Sequence, residues 1–347
     1  MSDFVIFLID ALVKSLIIVV SLLTGFAYTT VLERRVIARI QVRIGPNRAG
    51  PFGLLQPVSE GLKLFFKEDI VPNEADKVIF TLAPVITAVP ALIVLAVVPL
   101  GSEVTIPFLN YTTSLGLSDI NVGVLYILAV TSISVYGITL AGWASANKYA
   151  MLGGLRSAAQ MISYELALGV SLLVPVSLAG SLSLGAIINA QDPVWFVFYP
   201  IVGQVAAAIF YIAILAETNR APFDLPEAEQ ELTAGYHTEY SGMKFAAFFM
   251  AEYMKMIAVS AIFASLFLGG YRLFGLEDLL GGWMGPLILA GKVVASLVFM
   301  IWLRATLPRF RYDRLMSFGW KVLLPVSLVT LVLTWVVIVL ELIPVAL

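Results

Sequence analysis

The chain has 347 residues, of which 60% are hydrophobic and 13% charged, and its net charge is −2. The charged share is about half that of an average soluble domain, which excludes an ordinary globular enzyme, and the slight acidic balance gives no support to nucleic-acid binding. With no cysteine and one histidine, His237, the chain offers no disulfide, thiolate metal site or iron–sulfur ligation, and no haem or zinc site that needs two histidines.

About 20 apolar residues cross a bilayer as a helix. Eight stretches qualify, at roughly 4–32, 78–100, 120–146, 157–180, 195–217, 245–268, 286–304 and 321–343. The expected fold is therefore an all-α integral membrane protein, one polytopic domain over 1–347 with about eight spans and shorter helices in its loops. The first stretch reads as a span rather than a secretory signal, because no basic region precedes it and no small-residue cleavage site ends it. Asp10 and Lys14 form an i, i+4 pair within it and read as structural. The second span carries Pro84, Pro90 and Pro99. Such prolines are tolerated in lipid when neighbouring helices satisfy the freed carbonyls.

Basic residues set the orientation. Segments 33–77, 147–156, 217–244 and 304–321 hold seventeen of the 21 lysines and arginines, and the opposite side holds only Arg272. These four loops are expected to face the cytoplasm or matrix, with both termini outward. A partner is expected on the inner side, where the loops are long and charged.

In the first inner loop, Val58, Leu62, Phe65 and Phe66 recur on one helical face within 51–69, with Glu60, Lys63 and Lys67 on the other. That pattern describes an amphipathic interfacial helix. It serves either as a plain surface anchor or as the frame of a lateral gate for a lipid-soluble ligand. Upstream, Glu33 sits beside Arg34 at the membrane edge, and Gly45-Pro46-Asn47 and Gly50-Pro51 mark turns.

Glu165 follows Arg156 by nine residues and Glu252 follows Lys244 by eight. At about 1.5 Å per residue both lie roughly 12–13 Å into the inward half of the bilayer. Glu217 closes the fifth span on the same side. Ionisable groups in hydrocarbon are costly and face a bundle interior or a wet cavity. They act either as buried ion pairs that fix packing or as a proton route, and three at similar depth favour the route. Lys255 stands at i+3 from Glu252, and Lys292 has no partner nearby in sequence.

Between spans five and six, Asp224-Leu-Pro-Glu227 fits a capping box with proline in the first turn, opening a short helix over about 225–233. Its carboxylates are Glu227, Glu229 and Glu231, with Glu239 downstream. The run reads as a solvated acidic face or, with Glu217 and Glu252 beside it, as a funnel for protons.

Four segments then carry a resemblance: ERRVIARIQVRIGPNRAGPFGLLQP (33–57), GWASANKYAMLGGLRSAAQMISYE (142–165), ETNRAPFDLPEAEQELTAGYHTEYSGMKF (217–245) and RATLPRFRYDRLMSFGWK (304–321). Together they resemble the H-subunit family of bacterial NADH:quinone oxidoreductase, respiratory complex I, which includes mitochondrial NADH dehydrogenase subunit one. The resemblance covers essentially the whole chain. Ala49 stands where the pattern leads one to expect valine, and Glu60 where aspartate is common.

The resemblance implies a membrane subunit of a proton-translocating enzyme, in a bacterial plasma membrane, with quinone as substrate. No flavin, haem, metal or iron–sulfur cluster is expected on this chain. The first span, sixth span and amphipathic helix would border the mouth of a quinone tunnel rising into peripheral iron–sulfur subunits. Glu33, Arg34 and Phe249 would border the quinone path, and Arg304, Arg309 and Asp313 would lie near it or contact the peripheral arm. Glu165, Glu217, Asp224, Glu227, Glu229, Glu231, Glu239 and Glu252 would form an acidic path toward antiporter-like membrane subunits, with Arg220 organising its loop. Three rivals fit less well. A hydrogenase membrane subunit shares the acidic-loop logic, but the segments at 45–57 and 304–313 favour the quinone family. A stand-alone transporter would show inverted repeats. A passive anchor leaves the buried glutamates unnecessary.

Overall fold

The first helix, α1, runs from Asp3 to Ile40 without a break, because no proline interrupts the apolar run or the Glu-Arg-Arg segment that follows it. The sequence reading ends this span at residue 32. Glu33, Arg34, Arg35 and Arg39 instead ride on the last two turns of a continuous helix. The computed structural model describes residues 3–106, 111–225, 234–275 and 282–341.

The amphipathic segment folds as α2, Gln56–Phe65, after a 3-10 turn at Pro51–Gly53. Gly53 turns with φ 73°, and a Cβ there would meet the Pro46 carbonyl oxygen at 2.2 Å. Val58, Leu62, Phe65 and Phe66 are all exposed, so the apolar face of α2 is turned outward.

Helix α3, Lys77–Ile93, is capped by Asp76, which accepts from the amides of Val78 and Ile79. Pro84 removes the amide that would bond to the carbonyl four residues back, and the Tyr240 hydroxyl donates to that Phe80 oxygen at 3.2 Å. Burial pushes the Tyr240 hydroxyl above its ordinary pKa, so it stays a donor. A short hairpin, β1 Glu103–Ile106 with β2 Tyr111–Ser114, follows in antiparallel register. It has no counterpart in the sequence reading.

Helices α4, Gly123–Ala144, and α5, Lys148–Ala179, are joined by a tight link. Asn147 caps α5, so the predicted loop 147–156 is mostly its first turns. After α6, Leu184–Ala190, the chain runs through Pro193 and Pro200 before α7, Val202–Glu217. The fifth span is thus shorter than the predicted 195–217, because the prolines delay the helix. Helix α8 is Gly242–Phe267, α9 Gly285–Thr306, α10 Tyr312–Phe318 and α11 Leu324–Val339, with a π-turn at Gly319–Leu323 between the last two.

Among the described residues, seven helical stretches are long and apolar enough to cross a membrane, and α7 is a shorter apolar helix. The chain is an all-α, multi-pass membrane protein. Helix α3 packs on α4 and α8, α4 on α5, α5 on α7 and α11, and α1 on α8 and α9. The most buried of the long spans is α8, whose adjacent Glu252 and Tyr253 both lie in the interior.

One end of the bundle gathers the basic loops. There Lys244 pairs with Asp69, Ser241 donates to the Glu68 carbonyl, and the Phe310 amide donates to the Pro222 carbonyl. At the other end Lys14 bridges Asp10 and Thr113 at 2.6 Å each, pinning α1 to the hairpin, as the structural reading of that pair expects. Lys292 caps carbonyls too, bonding Leu268 and Gly270 oxygens at 2.5 and 2.7 Å beneath the Trp195 ring.

Candidate functional site

The extension of α1 beyond the predicted boundary carries Glu33 into the bundle at the basic end, where it is 5% exposed. A carboxylate so buried needs compensation, and three groups supply it. The Tyr253 hydroxyl of α8 donates to Glu33 Oε2 at 2.7 Å, Arg304 at the end of α9 donates to Oε1, and Arg220 Nη1 lies 4.0 Å from Oε1.

Arg220 follows α7 in a turn where Asn219 adopts φ 50°. Its Nη2 lies 3.4 Å from Glu252 Oε2, and its guanidinium sits 4.3 Å over the Tyr253 ring. One turn along α8, Lys255 pairs with Glu217 at 3.2 Å and donates to Ser134 of α4 at 3.2 Å. Glu165 of α5 accepts from Ser132 of α4 and feels the charges of Glu217 and Lys255. The charges, buried at the centre and half-buried at both ends, therefore form a line: Arg304, Glu33, Arg220, Glu252, then Lys255, Glu217 and Glu165. A small cavity of about 30 Å³ has Glu217, Glu252 and Lys255 in its wall.

A second, larger cavity of about 250 Å³ lies between α1, α2 and α8. Its wall is mostly apolar, with Phe26, Leu64, Met243, Phe249 and Met250, and Glu60 is its one acidic member. Glu60 is held by Arg34 and by Gln56. The Phe249 ring lies 6.4 Å from Phe26 and 4.7 Å from Tyr253. Tyr253 thus packs through its ring on Phe249 and Phe26, which line the apolar cavity, and joins the charge line through its hydroxyl.

The structure brings together Glu33, Arg304, Arg220, Glu252, Glu217 and Glu165, and places Phe249 in the wall of the apolar cavity, with Arg34 holding the Glu60 of that wall. Asp224 pairs with Arg309 at 2.8 Å, closing the α7–α8 connection against the α9–α10 loop. Asp313 opens α10 and pairs with exposed Arg311. Glu239 accepts from Asn147 at 2.6 Å, beside the α4–α5 link. Glu227, Glu229 and Glu231, with the short helix expected over 225–233, lie outside the described residues.

Sequence reasoning places Lys255 beside Glu252 on one helix face and Arg34 beside Glu33. The structure gives each cation a different carboxylate, because the neighbouring helix offers a closer one. Tyr253, Ser132 and Ser134 escape the sequence reading. A tyrosine directly after Glu252 is the available signal for the first, while the two serines carry no local signal at all.

A model of the NADH dehydrogenase family matches residues 13–335 of the chain. The NADH-quinone oxidoreductase H subunit of Protochlamydia amoebophila is 51% identical over 312 residues, covering 90% of this chain and 92% of that protein. The H 1 subunit of Geobacter metallireducens is 48% identical over 327 residues, with 94% and 95% covered. Its counterpart in Geobacter sulfurreducens is 49% identical, with 97% of each chain covered. The chain belongs to the NADH dehydrogenase family.

Proposed function

We infer that this chain is the membrane subunit of a proton-translocating NADH:quinone oxidoreductase that borders the quinone path and links quinone reduction to proton movement. The observation that carries the reading is Tyr253, whose ring meets Phe249 on the apolar cavity and whose hydroxyl bonds Glu33 in the charge line. The cavity between α1, α2 and α8 suits the ring and tail of a lipid-soluble quinone, as such sites are mostly apolar with few polar groups.

The chain supplies the wall of the path and the ionisable groups beside it. Electron transfer belongs to partners carrying flavin and iron–sulfur clusters, docked at the basic end, where Arg309, Arg311 and Asp313 stand at the surface. A gain of negative charge near Glu33 favours protonation there. Because Arg220 is shared with Glu252, that change passes to the next carboxylate, and groups so coupled titrate together rather than singly. One pKa unit corresponds to about 1.4 kcal/mol, so a few coupled carboxylates hold a useful part of the redox energy. Glu165, at the far end of the line, then delivers the effect to antiporter-like membrane subunits. The basic loops face the cytoplasm of a bacterial plasma membrane, both termini face outward, and the chain forms a single polytopic domain.

The test is affinity purification of the tagged chain from membranes in mild detergent. A large assembly with flavin, iron–sulfur signals and inhibitor-sensitive NADH-driven quinone reduction supports the reading. A hydrogenase partner, or a lone protein with transport activity, overturns it.

A further inference from the structure

Two ion pairs of the charge line, Lys255–Glu217 and Arg220–Glu252, hang from one turn. Glu217 ends α7 and Arg220 follows three residues later, with the chain reversing through Asn219 at φ 50°. A helix end with a strained residue needs an outside partner to fix it. That partner is Gln160 of α5, which has no exposed surface. Its Nε2 donates to the carbonyls of Ala216 and Phe223, each at 2.8 Å, and to Asn219 Oδ1 at 3.2 Å. The acceptors bracket Glu217 and Arg220 on both sides.

We propose that Gln160 is a positioning residue: its carboxamide clamps the turn from Ala216 to Phe223 and so sets where Glu217 meets Lys255 and where Arg220 meets Glu252. Three acceptors converge on one nitrogen, while the side chain's oxygen has no hydrogen-bond partner among the described residues. A carboxylate at this position would turn oxygen toward two carbonyl oxygens, and an aliphatic side chain would leave those carbonyls buried without a donor. Gln160 carries no charge and acts only through the backbone it holds. The proposal rests on the reading that Glu217 and Arg220 belong to the coupling path.

The test uses the assembled complex with Gln160→Leu, Glu217→Gln and the double variant. Quinone reduction is measured against quinone concentration and normalised to NADH oxidation by a water-soluble acceptor, which counts assembled enzyme. Losing the donor to the two buried carbonyls predicts a kcat for Gln160→Leu lower by about tenfold, with the quinone KM unchanged. The double variant is expected to be slower than Glu217→Gln by less than the full Gln160→Leu defect, since the two act partly on one element. Gln160→Asn, which keeps the donor one methylene short, is expected to fall between wild type and Gln160→Leu, and it carries the test if Gln160→Leu does not assemble. The proposal is overturned if Gln160→Leu reduces only the amount of complex with kcat intact, or if the two defects multiply. In those cases a slow Glu217→Gln leaves the coupling path standing. A silent Glu217→Gln removes Glu217 from that path and the proposal with it.

Discussion

Arg220 stands between two carboxylates, 3.4 Å from Glu252 and 4.0 Å from Glu33, with all three side chains under one-tenth exposed. Removing one partner from a buried pair costs about 3–5 kcal/mol, because the other charge is left uncompensated. Arg220→Ala is therefore expected to lower the thermal stability of the purified complex markedly, and adding Glu252→Gln to restore part of it. An unchanged melting profile for Arg220→Ala would contradict this arrangement. The importance of Arg220 is visible in the sequence only as a basic residue beside an acidic loop. Its partners are 187 and 32 residues away, and no local spacing encodes such contacts. Glu217, Glu252 and Glu165 are legible singly, because an ionisable group inside an apolar span is conspicuous by its cost.

At the scale of elements, two features link helix chemistry to the site. Pro84 frees the Phe80 carbonyl, and Tyr240 supplies the missing donor while its ring stacks on Phe80 at 4.0 Å. Tyr240→Phe keeps the stack and loses the donor, so it is expected to destabilise the protein by about 1–3 kcal/mol, read in thermal unfolding. A neutral result would mean that another group satisfies Phe80. The second feature is the apolar cavity between α1, α2 and α8, which Ala247 lines. Ala247→Phe fills part of it and is expected to raise the quinone KM several-fold, more for long-tailed than for short-tailed quinones, with assembly intact. Equal KM values would remove the cavity from the quinone path. The three elements are identifiable from their apolar patterns. The continuation of α1 to Ile40 is not, because Glu33, Arg34 and Arg35 look like the start of a loop although nothing in them stops a helix. That misplaced boundary hides the burial of Glu33.

The whole molecule is asymmetric in charge, with seventeen basic residues in four segments, at loops and helix ends, that the structure gathers at one end of the bundle. The chain has no cysteine, so a single introduced thiol reports its own side of the membrane. In intact cells an impermeant maleimide is expected to label exposed Glu103→Cys, in the hairpin, and to label Glu74→Cys only after the membrane is opened. The reverse pattern would invert the orientation. At this scale the sequence is most informative, since apolar length and basic-residue bias are the two quantities a bilayer reads. The hairpin escapes it, as it depends on where neighbouring helices leave room, whereas the shortening of α7 follows from Pro193 and Pro200.

The central claim is that the buried carboxylates couple quinone chemistry to proton movement. Its most direct measurement is proton translocation per NADH oxidised in sealed vesicles carrying the assembled complex with Glu217→Gln or Glu252→Gln. Each variant keeps the shape of the side chain and removes the titrating proton. Both variants are expected to pump well below wild type, with quinone-coupled turnover falling alongside pumping. Normal pumping and normal turnover in both would contradict the claim.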